Sequence, residues 1–395
     1  MKYPQSLEIT RWLRLPAAAL MSLTLVACGG GDGDSTSSVN TPIALANVTR
    51  TASLSGDQEL VPTLTGGVGT GTLTVASLLN AVTGGITING FSATAAHIHQ
   101  GEVGANGPII VDLTQSAPGV WSVPAGATLT QAQAEALASG GLYFNAHTPE
   151  NPSGEIRGQI GREVSAAQLT SAQEVPTNAS TATGNGLFSF DPVTKKFSAR
   201  LSLTGLAATV AHIHSGTVGN NGPVLFPLTE TAPGSRVWVS AADAVLTDAQ
   251  VTLLNNGALY FNAHSTAFPG GEIRGQIGRN VRIVPMSAAQ EVPANASTAT
   301  GTGTLIVEPS TRAASGSFTV TGMNARAGHI HLGAAGVNGG IIIDMTTTAT
   351  SPNVFSVPAG TVLTADQFKA FKQGGLYFNA HSAAFPGGEI RGQIR

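Results

Sequence analysis

One cysteine in 395 residues, Cys28, leaves the chain without an intramolecular disulfide or a cysteine-built zinc cluster, so its stability has to come from packing. Charge is almost as scarce. Asp, Glu, Lys and Arg make up 10% of the residues and the formal net charge is −3, which excludes nucleic acid as a partner and long salt-bridged helices as the main architecture. The apolar run near the start, "LPAAALMSLTLVA", has 13 residues, too few to cross a bilayer as a helix. What the chain does have is glycine, 49 residues of it, with much Thr, Ser, Ala and Val. That mixture suits short strands and many turns.

Residues 1–27 have the layout of a bacterial export signal. Lys2, Arg11 and Arg14 form a positive stretch, the apolar run follows, and Cys28 comes directly after it in "LVAC". That tetrapeptide resembles the lipoprotein signature, in which cleavage before the cysteine leaves it as the lipid-bearing first residue. Residues 28–49 read as a flexible tether, opened by "CGGGDGDSTSSVNT". Beyond residue 27 there remain 16 basic and 21 acidic residues, a net charge of about −5, so membrane attachment is expected to rest on acyl chains at Cys28. Gly29 in place of Asp after the cysteine favours the outer membrane. The expected location is the cell envelope.

The rest of the chain repeats itself three times. "LSGDQELVP", "LTSAQEVP" and "MSAAQEVP" open the copies; "AHIHQG", "AHIHSG" and "GHIHLG" follow; "LYFNAH" and "GEIRGQI" close each one. The first histidines, His97, His212 and His329, are 115 and then 117 residues apart, a domain-sized period. Domains are therefore expected at 50–162, 163–279 and 280–395, with connections short enough to predict fixed packing between them. Period-two runs such as "GTGTLTV" and "FSARLSLTGL" predict strands. One short helix per copy is predicted after Thr130, Thr247 and Thr364, each followed three residues later by Gln as a capping box requires. The expected fold class is all-β: three tandem antiparallel β-sandwich or barrel domains, each with one short helix. Trp121, Trp238 and Phe355 occupy matching places and are expected in the core or as a lid over the sheet.

Alternation decides what the histidines can do. On a strand, His97 and His99 face the same side, about 6.5 to 7 Å apart, and Ile98 faces the core. "LYFNAH" and "GEIRGQI" are separated by six residues and predict a hairpin that sets Tyr143, Asn145 and His147 beside Glu155, Arg157 and Gln159. All nine histidines of the chain fall at these three positions in three copies: His97, His99 and His147; His212, His214 and His264; His329, His331 and His381. Three neutral imidazoles suit Zn or Cu, with Glu155, Glu272 and Glu389 as a further ligand or an orienting partner. Tyr143, Arg157, Tyr260, Arg274, Tyr377 and Arg391 complete the polar set. A metal-free network, in which His147 pairs with Glu155 and Arg157 spans the sheet, fits the same pattern, and so does a surface that titrates near neutrality. The glycines of "GEVGANGP" lack the Lys-Ser/Thr of a phosphate loop and read as a tight turn. Glu59, Glu174 and Glu291 read as solvated strand ends. No G-x-S-x-G elbow is present, and no Asp recurs beside the histidines, because Asp112 and Asp344 give way to Pro227 in the second copy. No catalytic residue is assigned, and an enzyme is the less expected class.

The ordered set "Q-E-V-P", "A-H-I-H-x-G-x-x-G-x-N-G-P", "L-Y-F-N-A-H" and "G-E-I-R-G-Q-I" resembles the CHRD domain, named for chordin, over about residues 50–395. The resemblance implies an immunoglobulin-like β-barrel in a secreted protein and brings no catalytic activity with it. A looser similarity links the HIH strand to the copper strand of Cu/Zn superoxide dismutases, without that family's disulfide or zinc loop. The expectation is a lipoprotein whose three domains act as a non-enzymatic binding or structural module toward an extracellular protein or surface ligand, with a Zn- or Cu-binding protein, one tri-histidine site per domain and open to redox chemistry, as the alternative.

Overall fold

The computed structural model describes residues 47–76 and 80–395. The export signal, Cys28 and most of the tether fall outside them. Among the described residues no helix is long and apolar enough to cross a membrane.

Each copy is an antiparallel sheet wrapped around one apolar core. In the first copy the strands are β1 (Val48–Ser55), β2 (Val68–Ala76), β3 (Ala81–Asn89), β4 (Ala95–Gln100), β5 (Ile109–Asp112), β6 (Thr114–Ala117), β7 (Val120–Ser122), β8 (Leu142–His147) and β9 (Ile156–Gln159). Their order in the sheet is β5-β4-β8-β9-β1-β2-β3-β7-β6. The two end strands are separated in the chain by Leu113 alone, whose N–H donates to the Ala96 carbonyl, so the sheet comes round on itself. In the second copy a single strand, Val224–Glu230, does the work of β5 and β6 and the barrel closes outright. The third copy repeats the order of the first. Closure leaves few free sheet edges, which suits a chain with little charge to guard them.

The alternation expected from the sequence is the one observed. Ile98, Leu142, Phe144, Ala146, Ile156 and Ile160 are all fully buried on the inner face. Trp121, Trp238 and Phe355 are core residues. Each large apolar side chain removed from water stabilises the fold by roughly 1.5–3 kcal/mol, and truncating one such as Phe144 to Ala costs about 3–5 kcal/mol.

The helices α1 (Gln131–Ser139), α2 (Asp248–Asn255) and α3 (Ala365–Lys372) begin where predicted. Thr130, Thr247 and Thr364 each accept the backbone N–H of the Gln three residues on, whose side chain returns the bond. Leu137, Leu254, and Phe368 with Phe371 turn inward from them.

The three copies pack on one another. Asp57, at the tip of the "GDQEL" turn in the first copy, is buried against Lys372 of the third, with Nζ 2.6 Å from Oδ1. Asn280 donates to the other Asp57 oxygen at 3.0 Å, and Lys372 also donates to the Thr63 carbonyl at 3.0 Å. Arg282 reaches Gln168 of the second copy at 3.0 Å.

Candidate functional site

β4 lies between β5 and β8, and β9 adds to the far side of β8, so one outer face of the sheet collects the polar residues in two rows. His97, Asn145 and Arg157 are directly opposed across β4, β8 and β9; His99, Tyr143 and Gln159 form the next row. His147 pairs with Ala95 and completes the group. The expected convergence of three imidazoles takes place: one ring nitrogen from each of His97, His99 and His147 lies within 4.8 Å of the other two, and the same holds for His212, His214 and His264 and for His329, His331 and His381.

Hydrogen-bond partners fix which nitrogens those are. A carbonyl only accepts, so a ring nitrogen bonded to one must carry the proton. His99 Nδ1 sits 2.9 Å from the Gly107 carbonyl and His147 Nδ1 sits 3.0 Å from that of Pro152. Both rings therefore present an unprotonated Nε2. His147 Nε2 faces His97 Nδ1 at 3.0 Å. His99 Nε2 is buried and has no hydrogen-bond partner among the described residues, and neither do His214 Nε2 and His331 Nε2. An orphaned acceptor in the same place in each copy is a costly arrangement unless something fills it.

Burial holds these rings neutral. It pushes the imidazole of His97, and that of His99, below the usual histidine range, and together with the neighbouring His97 it takes His147 down to about 4. Neutral imidazole is the form that ligates a metal.

Gly107 explains the turn that follows the HIH strand. A Cβ there would stand 1.6 Å from the Gln100 carbonyl oxygen, so only glycine lets the loop return close enough for its own carbonyl to meet His99. Gly222 and Gly339 repeat this at His214 and His331. The "GANGP" segment, read from sequence as a plain turn, supplies the acceptor that sets the histidine tautomer.

Beneath the histidines is a three-layer stack. The Tyr143 ring lies parallel to His99 with centroids 4.9 Å apart, and the Arg157 guanidinium covers its other face at 3.5 Å. Arg157 donates to the carbonyls of Glu102 and Ala105, each at 2.8 Å, and Gln159 donates to that of Gly101 at 2.7 Å. Those bonds hold down the loop that carries Gly107. Arg274 and Arg391 lie over Tyr260 and Tyr377 in the same way. Arg157 thus anchors the loop.

Two expectations are corrected. Glu155 does not pair with His147, because it lies one residue before β9 and turns toward the hairpin loop, where it accepts from Thr148 Oγ1 at 2.7 Å and from Asn151 Nδ2. Glu272 and Glu389 likewise bond to serines, Ser180 and Ser297, at 2.6 and 2.7 Å. These carboxylates orient the loop and not the histidines. Nor are Glu59, Glu174 and Glu291 solvated strand ends. Each is buried behind the polar face with one carboxylate oxygen unpartnered among the described residues. Burial raises Glu59 to about 8, against the pull of Arg157, and raises Glu174 and Glu291 to about 7. Gly154, at φ +140°, passes so close that a Cβ would stand 2.5 Å from Glu59 Oε1, which is why glycine precedes "EIRGQI".

The histidines line an open groove of about 610 Å³, walled by Thr94, Asn106, Ile109 and Pro152 among others. A cation held there would keep a coordination position open to the groove.

Comparison with curated proteins and with solved structures returns no match. The CHRD domain family matches residues 50–160, 165–277 and 283–394, the same three stretches that the repeats and the sheets delimit. The chain belongs to the CHRD domain family, as three copies in tandem.

Proposed function

We propose that this chain is an exported, lipid-anchored binding module in which each CHRD domain takes up one divalent transition-metal ion, Zn or Cu, through His97, His99 and His147 and their counterparts. The observation that carries this reading is the orphaned Nε2 of His99, repeated at His214 and His331, in rings whose Nδ1 is already committed to a carbonyl. A tetrahedral ion with metal–nitrogen distances of about 2.0–2.1 Å sets its nitrogens about 3.4 Å apart, so ring movements of about 1 Å bring the three together. Carbonyls on the outer nitrogens are the usual second layer of a histidine metal site. The "LVAC" sequence at Cys28 supports export and lipidation, and a tether of polar residues lets the domains stand off a membrane.

A second reading, a structural network without metal, draws on the His97–His147 contact at 3.0 Å. Metal analysis separates the two. The mature protein, dialysed against trace Zn or Cu and then against buffer, is expected to retain about one ion per domain, and His97→Ala with His99→Ala to lose one of them. Retention of less than about half an ion per chain, unchanged by that double substitution, rules the metal reading out.

A further inference from the structure

We infer that the three tri-histidine sites fall into two affinity classes, with the sites of the first and third copies binding a divalent cation more tightly than the site of the second. The inference rests on the metal reading above and concerns the carboxylate beside the first histidine, which the first and third copies have and the second lacks. In the first copy Asp112 Oδ1 lies 3.5 Å from His97 Nε2, and in the third Asp344 Oδ1 lies 3.6 Å from His329 Nε2. In the second copy the residue opposite His212 is Pro227, and among the described residues no carboxylate lies within ion-pair distance of His212.

The consequence follows from counting protons. His147 Nε2 is an acceptor, because its Nδ1 donates to Pro152. With no cation between them, His97 can satisfy that acceptor only by carrying its proton on Nδ1, and a neutral ring then turns an Nε2 lone pair toward the Asp112 carboxylate. If the proton sits on Nε2 to meet Asp112, two lone pairs face each other across 3.0 Å. Neither neutral tautomer suits both neighbours. A cation removes the conflict: the proton goes to Nε2 and Asp112, and Nδ1 and the two Nε2 atoms ligate. The carboxylate lies on the far side of the ring from the ligating nitrogen, so it acts as a positioning residue and makes the imidazole a stronger donor.

The third copy repeats each of these contacts, with His329 and His381 3.0 Å apart and His381 Nδ1 at the Pro386 carbonyl. In the second copy no conflict arises. His264 Nδ1 donates to the Pro269 carbonyl, so His212 carries its proton on Nδ1, donates to His264 Nε2 across 3.2 Å, and has no carboxylate at its Nε2. A cation entering there breaks a satisfied hydrogen bond and gains no carboxylate. Asp112 and Asp344 are highly exposed, so the difference is expected at the low end of outer-layer effects, about tenfold.

The test is a Zn(II) titration of the mature chain at pH 7.5 against a chromophoric chelator, repeated on the variant Asp112→Asn with Asp344→Asn, on Pro227→Asp, and on His212→Ala with His214→Ala. The expected result is two tight sites and one about tenfold weaker. The double Asn variant merges them near the weak value; Pro227→Asp merges them near the tight one; the His212/His214 variant loses the weak class alone. Both aspartates are on the surface, so their substitution leaves folding intact, which circular dichroism checks. Three equal sites in the wild-type chain, or two classes that persist in the double Asn variant, overturn this inference and leave the metal reading standing. Absence of any Zn(II) binding overturns both.

Discussion

Replacing Glu59 with Gln should stabilise the protein, and increasingly so as the pH rises. Glu59 is 6% exposed in the fold, and burial raises its carboxyl from 4.5 to about 8. The sign follows from proton binding: between those two values the folded chain holds a proton that the unfolded chain has lost. Stability contributed by the neutral carboxyl is complete below pH 4.5 and declines as the pH climbs toward 8. At 1.36 kcal/mol per unit, the loss from this one group between pH 5 and pH 8 is about 3.5 kcal/mol. Gln fills the same volume and stays neutral throughout, so the variant escapes the decline. Urea unfolding at several pH values from 5 to 8 measures it. The gap between variant and wild type should open by about 3.5 kcal/mol across that range, with one fewer proton released on unfolding at pH 7. A gap that does not change with pH, or a variant less stable than wild type at pH 8, refutes the reasoning: Glu59 would then be ionised and held by Arg157.

Arg157→Met leaves the Glu102 and Ala105 carbonyls without their donor and uncovers Tyr143; a stability loss of about 3–5 kcal/mol in denaturant unfolding is expected, with lower metal occupancy in that copy alone. Gly107→Ala forces the loop away from Gln100 and withdraws the carbonyl from His99, so metal affinity in the first copy should fall about 10- to 100-fold in chelator competition while the other copies keep theirs. Between the first and third copies, Lys372→Met takes the paired cation from Asp57 and leaves Asn280 as its donor; a cost of about 3 kcal/mol is expected, and limited proteolysis should show the two copies separating before either unfolds.

How far the sequence foretold all this varies along the chain. Wherever a strand is regular, alternation placed side chains correctly: Ile98 inward, His97 and His99 outward, Tyr143 and Asn145 on the face shared with Arg157. The helix starts were readable because a capping box is local chemistry. The misreadings sit where regularity ends. Glu59 follows the 3-10 turn Gly56–Gln58, which breaks the period-two count, so nothing in "GDQELVP" tells which way its side chain points. Glu155 precedes its strand by one residue, outside the register that the hairpin imposes. The Gly107 carbonyl is a backbone atom and leaves its trace only as an insistence on glycine, at Gly107, Gly222 and Gly339. Contacts between copies, such as Asp57 with Lys372, join residues that no local pattern relates.

That last contact bears on how such a chain can change over time. Linear arrays of repeats gain and lose units freely, because each unit touches only its neighbours. Here the first copy is tied to the last through a buried ion pair, so duplicating or deleting a whole copy would move Lys372 away from Asp57 and leave a buried carboxylate without that cation. The number three is thus built into the packing as well as the sequence. Variation in this protein is expected to come by substitution within copies, as at Pro227, before it comes by changing how many there are.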